Sequence, residues 1–470
     1  MKARKRLTPH RMTRGLFYLL LFLASAATSS LRAEDARPRH DGAPVVWPVS
    51  APADLGVLLP ALPAELTLRQ AEDYALAHQP ALAASRLRAE AETQRVYEAR
   101  SQFFPQIQAD SVAVKASEND SRMAANSGIT NPTILTRQSD GGLLSQLITD
   151  FGRTYFLTTS ARSNALSAAE RTEFVRQTLL LRVDQAYFSA QGAQALLEVA
   201  NQTVSTNQLL LERVKAMAGA NLKSSLDVDF QQVTTSQAQL LQLQAQARLQ
   251  EAFAEFSAAL GLGGKVDFTL APLELDPVPP DKAGPLIAEA WAHRPDLLSA
   301  RADRDAALRF AKAETAAHYP VISAQGGLGV NPGTVDKDLP PTYGAIGVNV
   351  SVPVFTGGLL TARAREAALR AEAAQKDLAD AETEAARDVY NAWIEARTAY
   401  DAIAVSEQLL ESAQEAFKLA QSRYRVGASS IVELSQADLQ EIQAEITAAT
   451  SRYDYQMRRR ALDFQMGTLK

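Results

Sequence analysis

The sequence contains no cysteine and little histidine, and both absences exclude classes of function. Without a cysteine among 470 residues there is no disulfide framework, thiolate zinc site, cysteine nucleophile or cysteine-linked lipid anchor. The five histidines show no metal-ligand spacing, and no hydrolase, kinase or phosphate-loop motif is complete. We therefore expect no catalytic residues, no metal and no cofactor, and the chain is not predicted to be an enzyme.

The chain also lacks an excess of Lys and Arg over Asp and Glu, although basic residues are concentrated at its start. Lys and Arg number 48 against 53 Asp and Glu, for a net charge of -5. An acidic chain is poorly suited to a phosphate backbone, so nucleic acid is not an expected partner. Basic residues precede the apolar run Leu16–Leu23 and the small residues at 24–26. This pattern predicts a cleaved export signal over residues 1–26, with cleavage after Ala33 or a retained anchor as alternatives.

Proline is missing from two long stretches, which predicts long helices. None lies within residues 133–271 and none follows Pro353, while both stretches are rich in Ala, Leu, Gln, Glu and Arg. The span from Gly152 to Ala218, about 66 residues, would form roughly 100 Å of helix. Small and apolar residues recur along this helix at intervals of four and three residues, which predicts a coiled-coil packing seam. The seam begins with Ala161, Ala165, Ala168, Thr172, Val175 and Leu179.

An internal repeat is the strongest structural signal. Residues 74–109 match 289–324 without a gap at an offset of 215, with ten identical residues, and further on Gly261 matches Gly467 at an offset of 206. We predict two copies of one unit: a helix, two strands, a long helix, a short break and a last helix. The expected segments are a Pro-rich tether 27–63, a first copy 64–271, a linker 272–285 and a second copy 286–470.

Short alternating segments follow Pro105 and Pro320, where helices are expected to end. Strands are predicted at Gln106–Lys115, Gly141–Thr149, Val321–Val330 and Tyr343–Val354, with polar loops at Glu118–Asp140 and Asn331–Pro341. In the last strand, valines and Ile346 alternate with small or polar residues, which suits lipid on one face and water on the other. No later run could span a membrane as a helix. Four strands cannot close a barrel, which needs about eight, so several copies of the chain are expected to pool theirs.

Duplicated motifs in this order resemble the TolC-type outer-membrane efflux family, over Leu66–Leu469. They are AHQPALAASR with AHRPDLLSAR, FFPQI with HYPVI, VPVFTGGLLTARAREA with LITDFGRTYFLTTSA, and RYRVGASSIVELSQADLQ with ANLKSSLDVDFQQ. The resemblance implies a mainly α fold with a small β portion. It further implies a homotrimer, in which a twelve-stranded outer-membrane β-barrel continues into a twelve-helix coiled-coil tunnel.

The same resemblance implies partners and a location. Members of the family serve tripartite export, docking through a periplasmic adaptor (a membrane fusion protein) onto an inner-membrane pump of the RND, ABC or MFS type. The expected location is the outer membrane of a Gram-negative bacterium, in contact with its lipid, with the tunnel in the periplasm. Many relatives carry an acylated N-terminal cysteine that this chain lacks.

Turns between the long helices are expected at Gly219–Ser225 and Val426–Ser430, with Asn221 and Gly427 as residues that tolerate a left-handed conformation. In the resembled family these turns close the periplasmic end of the tunnel. The gate candidates implied here are Asp227, Glu433, Tyr424 and Arg425. Acids there would ring the pore in a trimer and attract cations.

A structural alternative for the two acids stays open. Ser224 and Asp227 form one potential capping box, and Ser430 and Glu433 form another, so each acid would stabilise a helix start by about 1 kcal/mol. Well-known relatives carry a basic gate residue two positions after the glycine, where this chain has Ser429. The same salt-bridge lock is therefore not implied.

The transitions between barrel and tunnel are expected at prolines that end helices and at glycines that precede the long ones. They are Pro105, Gly152, Pro320, Gly357 and Gly358. The predicted function is a passive export duct of a tripartite efflux system for small molecules or drugs. The alternatives are the channel of a type I protein secretion system and a soluble periplasmic coiled-coil scaffold. The scaffold predicts that Tyr343–Val354 stays out of the membrane.

Overall fold

The computed structural model describes residues 65–115, 121–122, 133–134, 137–264, 266–272, 274–332 and 340–470. The predicted export signal and tether lie outside these residues, as does most of both predicted loops. The first half contains α1 (Leu68–His78), α2 (Pro80–Ser101), β1 (Gln106–Val114), β2 (Ser121–Arg122), β3 (Thr133–Ile134), β4 (Arg137–Thr149), α3 (Arg153–Gly219) and α4 (Ser225–Ala259). The second half contains α5 (Gly284–His293), α6 (Pro295–Ala316), β5 (Val321–Val330), β6 (Thr342–Ser351), α7 (Leu359–Arg425) and α8 (Ile431–Gln465).

The two halves repeat one pattern of element lengths, which confirms the mainly helical duplicated fold. Helices α2 and α6 have 22 residues each, α3 and α7 have 67, and α4 and α8 have 35. The predicted first helix of each copy is wrong in one respect, because it is two helices. Gln79 and Arg294 each precede a proline and are extended, with ψ of 117° and 121°. The proline clash with a helical preceding residue explains both breaks.

Helices α3 and α7 are long single helices, each of about 100 Å at about 1.5 Å per residue. Helix α4 packs back along α3, and α8 packs back along α7. Both helix breaks lie at the predicted turns, Gly219–Ser225 and Val426–Ser430. Within the described part of the chain, no helix combines the length and apolar character needed to cross a membrane.

The predicted alanine seam is only partly buried over the first turns of α3. The residues buried there are Thr154, Thr158, Ser160, Ser163 and Ser167, while Ala161, Ala165 and Ala168 are only partly buried. This stretch packs on α6, where the Ser160 hydroxyl donates to the Ala306 carbonyl and the Ser167 hydroxyl meets that of Ser299 at 2.9 Å. Polar contacts to α6 therefore set the buried face. Further along, Leu179 and Val183 are buried as the seam predicts.

Four strands form one antiparallel sheet in the order β1-β4-β5-β6. Two strand ends differ from prediction by more than one residue: β4 begins at Arg137, because its pairing with β1 continues to Val114, and β6 ends at Ser351, before Pro353. The short pair β2–β3 and the start of β4 lie within the predicted loop Glu118–Asp140. The strand lengths of nine to thirteen residues suit a membrane crossing.

The register of the sheet separates apolar from polar side chains. Cross-strand partners share a face, so Leu144, Gly326 and Ile346 lie in one row. This face, here called the apolar face, carries Ile107, Leu144, Leu328, Ile346, Val348 and Val350, with Ser111, Asp140 and Gln146 among them. The opposite face, here called the polar face, carries Gln106, Gln108, Ser145, Ser323, Gln325 and Asn349, with Leu143 and Tyr343 among them. Ile346 is 89% exposed on the isolated chain.

The linker between the copies is held by side chains of the long helices. The Tyr187 hydroxyl of α3 donates to the Leu66 carbonyl, and Leu66 pairs with Leu270 in an isolated parallel bridge. Tyr455 of α8 and Trp393 of α7 donate to the carbonyls of Pro277 and Pro280. Helix side chains therefore hold these segments by hydrogen bonds to backbone carbonyl oxygens. Such bonds do not depend on which side chains the linker carries.

Candidate functional site at the helical turns

Both turns between the long helices have the same backbone geometry. Helix α3 ends at Gly219, and Asn221 follows with a φ of 54°; helix α7 ends at Arg425, and Gly427 follows with a φ of 79°. The Leu222 amide donates to the Met217 carbonyl at 2.9 Å, and the second copy repeats this bond. Left-handed residues and bonds of this kind end helices in a Schellman motif. The chain therefore reverses within five residues in each copy.

Asp227 is bound to the start of its own helix. Its carboxylate accepts from the Ser224 amide at 2.9 Å and from the Ser224 hydroxyl at 2.6 Å, and its amide donates back to that hydroxyl. The predicted capping box is present in full. Partial burial acts to raise the pKa of Asp227, but the Ser224 hydrogen bonds, the Tyr424 hydroxyl and the Lys223 charge outweigh it and lower the pKa. The carboxylate therefore stays charged at neutral pH.

Glu433 does not complete the second predicted capping box. The Ser430 hydroxyl accepts from the Glu433 amide at 3.2 Å, but the carboxylate does not return to the Ser430 amide. Instead it pairs with Arg423 of α7 at 3.2 Å. A cation in the last turn of α7 competes for this carboxylate. The pair joins the end of α7 to the start of α8.

Tyr424 is buried between the two helical hairpins. Its side chain packs with residues of α3, α7 and α8, namely Leu210, Val214, Phe417, Ala420, Ile431 and Leu434. The Lys223 ammonium donates to the Tyr424 carbonyl at 3.0 Å and lies 3.7 Å from the centre of its ring. Burial and the charge of Asp227 raise the pKa of Tyr424 to about 12. Lys223 thus connects the first turn to the end of α7 by a hydrogen bond and a cation–π contact.

Sequence reasoning missed the two cations that make these contacts. Arg425, the predicted one, is exposed and forms no ion pair with another described residue. Arg423 instead pairs with Glu433, and Lys223 donates to the Tyr424 carbonyl. The internal repeat held a signal for Lys223, because the offset of 206 places it opposite Ser429. The position that matches Ser429 in the other copy of the repeat is therefore basic in this chain.

The predicted transition residues lie at the junctions between helices and sheet. Gly152 and Gly358 are the N-cap residues of α3 and α7, with φ of 97° and 84°, and Gly357 has a φ of 62°. Pro105 and Pro320 directly precede β1 and β5. Such positive φ angles favour glycine, which allows strand and helix to meet at a sharp angle.

No group of three or more potential metal-binding side chains comes together within the described ranges. The family model described as outer membrane efflux protein matches this chain twice, at residues 73–262 and 286–468. The chain belongs to the outer membrane efflux protein family. The family is one of transport proteins, so an efflux channel of the outer membrane is the class of function that this membership gives.

Relatives cover most of this efflux protein. Outer membrane protein TolC of Vibrio cholerae is 27% identical over 440 residues, covering 90% of this chain and 95% of the relative. The probable efflux pump outer membrane protein TtgC of Pseudomonas putida is 26% identical over 349 residues, covering 70% and 68%. A crystal structure of CusC has a TM-score of 0.75 at 20% identity, covering 93% of this chain and 99% of that one. The likeness to CusC shows that the two chains share a fold.

Proposed function

We propose that this efflux protein is a passive export duct, which assembles as a homotrimer and conducts small molecules or drugs across the outer membrane. No chemical step occurs in the duct, and a partner pump supplies the energy. The observation that carries the proposal is the sheet: one face is mostly apolar, the other is mostly polar, and both edge strands, β1 and β6, lack a further partner among the described strands. Three such sheets joined edge to edge supply twelve strands, which suffice for a closed barrel.

The helices support the second half of the proposal. Each chain contributes two hairpins, α3–α4 and α7–α8, of about 100 Å at their longer helices. Three chains therefore supply a tunnel that reaches far from the barrel. Relatives are named efflux pump outer membrane proteins, which supports an adaptor and an inner-membrane pump as partners here. An exported precursor, cleaved after residue 26, suits this location.

The turns of the two hairpins are proposed as the periplasmic gate. Asp227, Tyr424 and Glu433 lie at the same end of the long helices. Lys223 ties the two hairpins together there, and Arg423 ties α7 to α8 within the second hairpin. Adaptor binding would stabilise an open arrangement that these contacts oppose. Replacing both acids with alanine is expected to raise conductance and lower cation selectivity in planar bilayers. Unchanged values for both would remove Asp227 and Glu433 from the gate.

The proposed function is tested on protein purified from separated membranes in mild detergent. Light scattering would give the mass of the protein, and planar bilayers would give its conductance. Trimers from the outer membrane that pass small, cation-selective currents are expected. A soluble monomer or dimer without conductance would contradict the duct and favour the periplasmic scaffold.

A further inference from the structure

Tyr343 lies in a row of the sheet that is otherwise almost without side chains. Cross-strand pairing aligns Tyr343 of β6 with Gly329 of β5, Gly141 of β4 and, at the far edge, Asp110 of β1. The row belongs to the polar face, which also carries Ser145, Gln325 and Asn349. In the proposed barrel the apolar face meets lipid, so this row lies on the water-filled side. The inference therefore rests on the proposed function.

The phenol ring occupies the space left by two absent side chains. A Cβ atom added to Gly141 would lie 2.4 Å from the Tyr343 hydroxyl oxygen, and one added to Gly329 would lie 2.4 Å from the same oxygen and from Cζ. The ring therefore lies flat along the row, across β5 and β4, and its hydroxyl is 3.4 Å from that of Ser139. Glycine is unfavourable inside strands, so paired glycines indicate a close approach of another group.

The side chain is still 43% exposed, so one face of the ring borders the bore. Tyr343 is the second residue of β6, next to the loop between β5 and β6 and far from α7. It lies therefore at the end of the barrel opposite the tunnel. Twelve strands about 4.8 Å apart and tilted by about 40° give a backbone radius of roughly 12 Å. Three rings turned inward would remove a large share of that bore.

We propose that Gly141 and Gly329 hold Tyr343 flat against the inner wall, and that this placement sets the size limit of the outer mouth of the duct. Tyr343 is the side chain whose orientation decides how large a solute passes. A purely structural role is the alternative, since an aromatic ring over a glycine also stabilises a sheet. The two roles differ in whether a displaced ring obstructs solutes according to their size.

Gly141→Ala is the decisive variant because its new methyl group meets the ring much more closely than it meets any backbone atom. The next atom it approaches is the Leu328 carbonyl oxygen at 3.1 Å, whereas a methyl group at Gly329 would meet the Asp140 carbonyl oxygen at 2.7 Å. Gly142→Ala is the matched control. Its Cβ would point to the apolar face and meet only the Gln108 carbonyl oxygen, at 3.8 Å.

The absence of cysteine permits a direct measurement. Ser145→Cys places a single thiol on the polar face, four residues along β4 from Gly141 and so about 13 Å further towards the tunnel. Intact cells would be labelled from outside with a small and a bulky impermeant maleimide. Gly141→Ala is expected to slow the bulky reagent severalfold and to leave the small one unchanged. Gly142→Ala should change neither rate, and Tyr343→Ala added to Gly141→Ala should restore the rate of the bulky reagent.

Equal rates in Gly141→Ala and its parent, or a slow rate that Tyr343→Ala does not restore, would overturn the proposal. Tyr343→Ala alone provides a second measure that needs no glycine change. The bulky reagent should label this variant at the parental rate. A marked acceleration would contradict the flat placement, because it would show that the ring already obstructs the bore. If Ser145→Cys labels only after denaturation, the polar face does not line a water-filled duct. That outcome would overturn the proposed function together with the inference, whereas the other outcomes concern Tyr343 alone.

Discussion

At the scale of single residues, Asp184 of α3 is the most unusual ionisable group. It is fully buried, and neither carboxylate oxygen accepts a hydrogen bond from a donor of the described chain. Around it lie Glu72 of α1 and Arg460 and Asp463 of α8, with the Arg460 Nε atom 3.8 Å away. Burial and the negative charge of Glu72 raise the pKa of Asp184 well above its usual range. A protonated Asp184 that shares its hydrogen with Glu72 satisfies this geometry.

Asp184→Asn is therefore expected to remove a pH dependence of stability. The pKa of Asp184 is higher in the folded than in the unfolded chain. The protonated carboxyl group therefore makes its full contribution to the free energy of unfolding below the ordinary pKa of 3.8. The contribution is lost as pH rises from there through the raised folded pKa. In detergent, the apparent melting temperature of the variant should exceed that of the parent by several degrees at pH 9 and by little at pH 5. Asp377→Asn, on the exposed face of α7, is the control. Parallel curves for Asp184→Asn and parent would show that Asp184 is ionised throughout.

Lys223 separates gating from helix capping. It contacts Tyr424, but the capping box of Asp227 and Ser224 does not involve it. Lys223→Met should weaken the connection between the hairpins and raise conductance severalfold in planar bilayers, while Lys223→Arg should change it less. Lys215→Met is the control, since the ion pair of Lys215 within the described ranges is with Glu212 of its own helix. Parental conductance in Lys223→Met would assign the lysine to the local turn alone.

The sequence predicted positions of candidate residues better than their partners. Spacing from the helix break placed Asp227 and Glu433 correctly at helix starts, because capping depends on neighbours along the chain. The partner of Glu433 depends on how the end of α7 is rotated, and rotation selected Arg423 over Arg425. Asp184 and Arg460 are far apart in sequence and meet only through packing. No local pattern could indicate that pair.

At the scale of elements, proline and the repeat determined most of what was predictable. Proline-free stretches predicted α3 and α7, and the repeat predicted helices of equal length in the second copy. The phase of the buried face was not predictable from apolar spacing, because serines of α3 bond α6 through hydroxyl groups. Edge positions of strands were off by a few residues, since pairing partners decide where a strand ends.

The repeated glycines at the helix ends explain the repeated AHxP motifs. Gly467 ends α8 with a φ of 72°, and a Cβ there would lie 2.8 Å from the backbone of His293 and Arg294. Its counterpart Gly261 lies against the backbone of His78 and Gln79, where the nearest atom would be 3.4 Å away. The junctions α1–α2 and α5–α6 therefore each pack on the end of the last helix of their own copy. The histidines bond backbone carbonyls four residues earlier, which is a structural role.

Gly467→Ala is expected to destabilise the protein more than Gly427→Ala. Both substitutions place a side chain at a positive φ, which costs about 1 kcal/mol. Only Gly467→Ala also forces backbone apart, which adds roughly 1–3 kcal/mol, because nothing lies within 4 Å of a Cβ at Gly427. Apparent melting temperatures in detergent would compare the two. Equal losses would mean that α8 shifts freely away from the α5–α6 junction.

At the scale of the whole molecule, the isolated chain leaves surfaces that only assembly would cover. The edge strands β1 and β6 pair with no further strand among the described residues, and proteins seldom leave such edges open. Large apolar side chains of β6 are exposed, including Val348 at 66% and Val350 at 57%. Both features follow if copies of the chain pair edge to edge within lipid. They would be liabilities in a soluble scaffold, where exposed patches of this kind promote aggregation.

The two faces of β6 give the most direct test of that assembly. Ile346 lies on the apolar face and Asn349 on the polar face of the same strand, and both are exposed in the single chain. An arginine facing lipid near the middle of a barrel costs about 2–4 kcal/mol, whereas one facing the lumen costs little. Ile346→Arg should therefore reduce the heat-resistant trimer recovered from outer membranes, while Asn349→Arg should be recovered at the parental level. Gel mobility before and after heating of fractionated membranes measures both. Equal recovery of the two variants would mean that β6 does not separate lipid from water, and a loss confined to Asn349→Arg would mean that the faces are reversed.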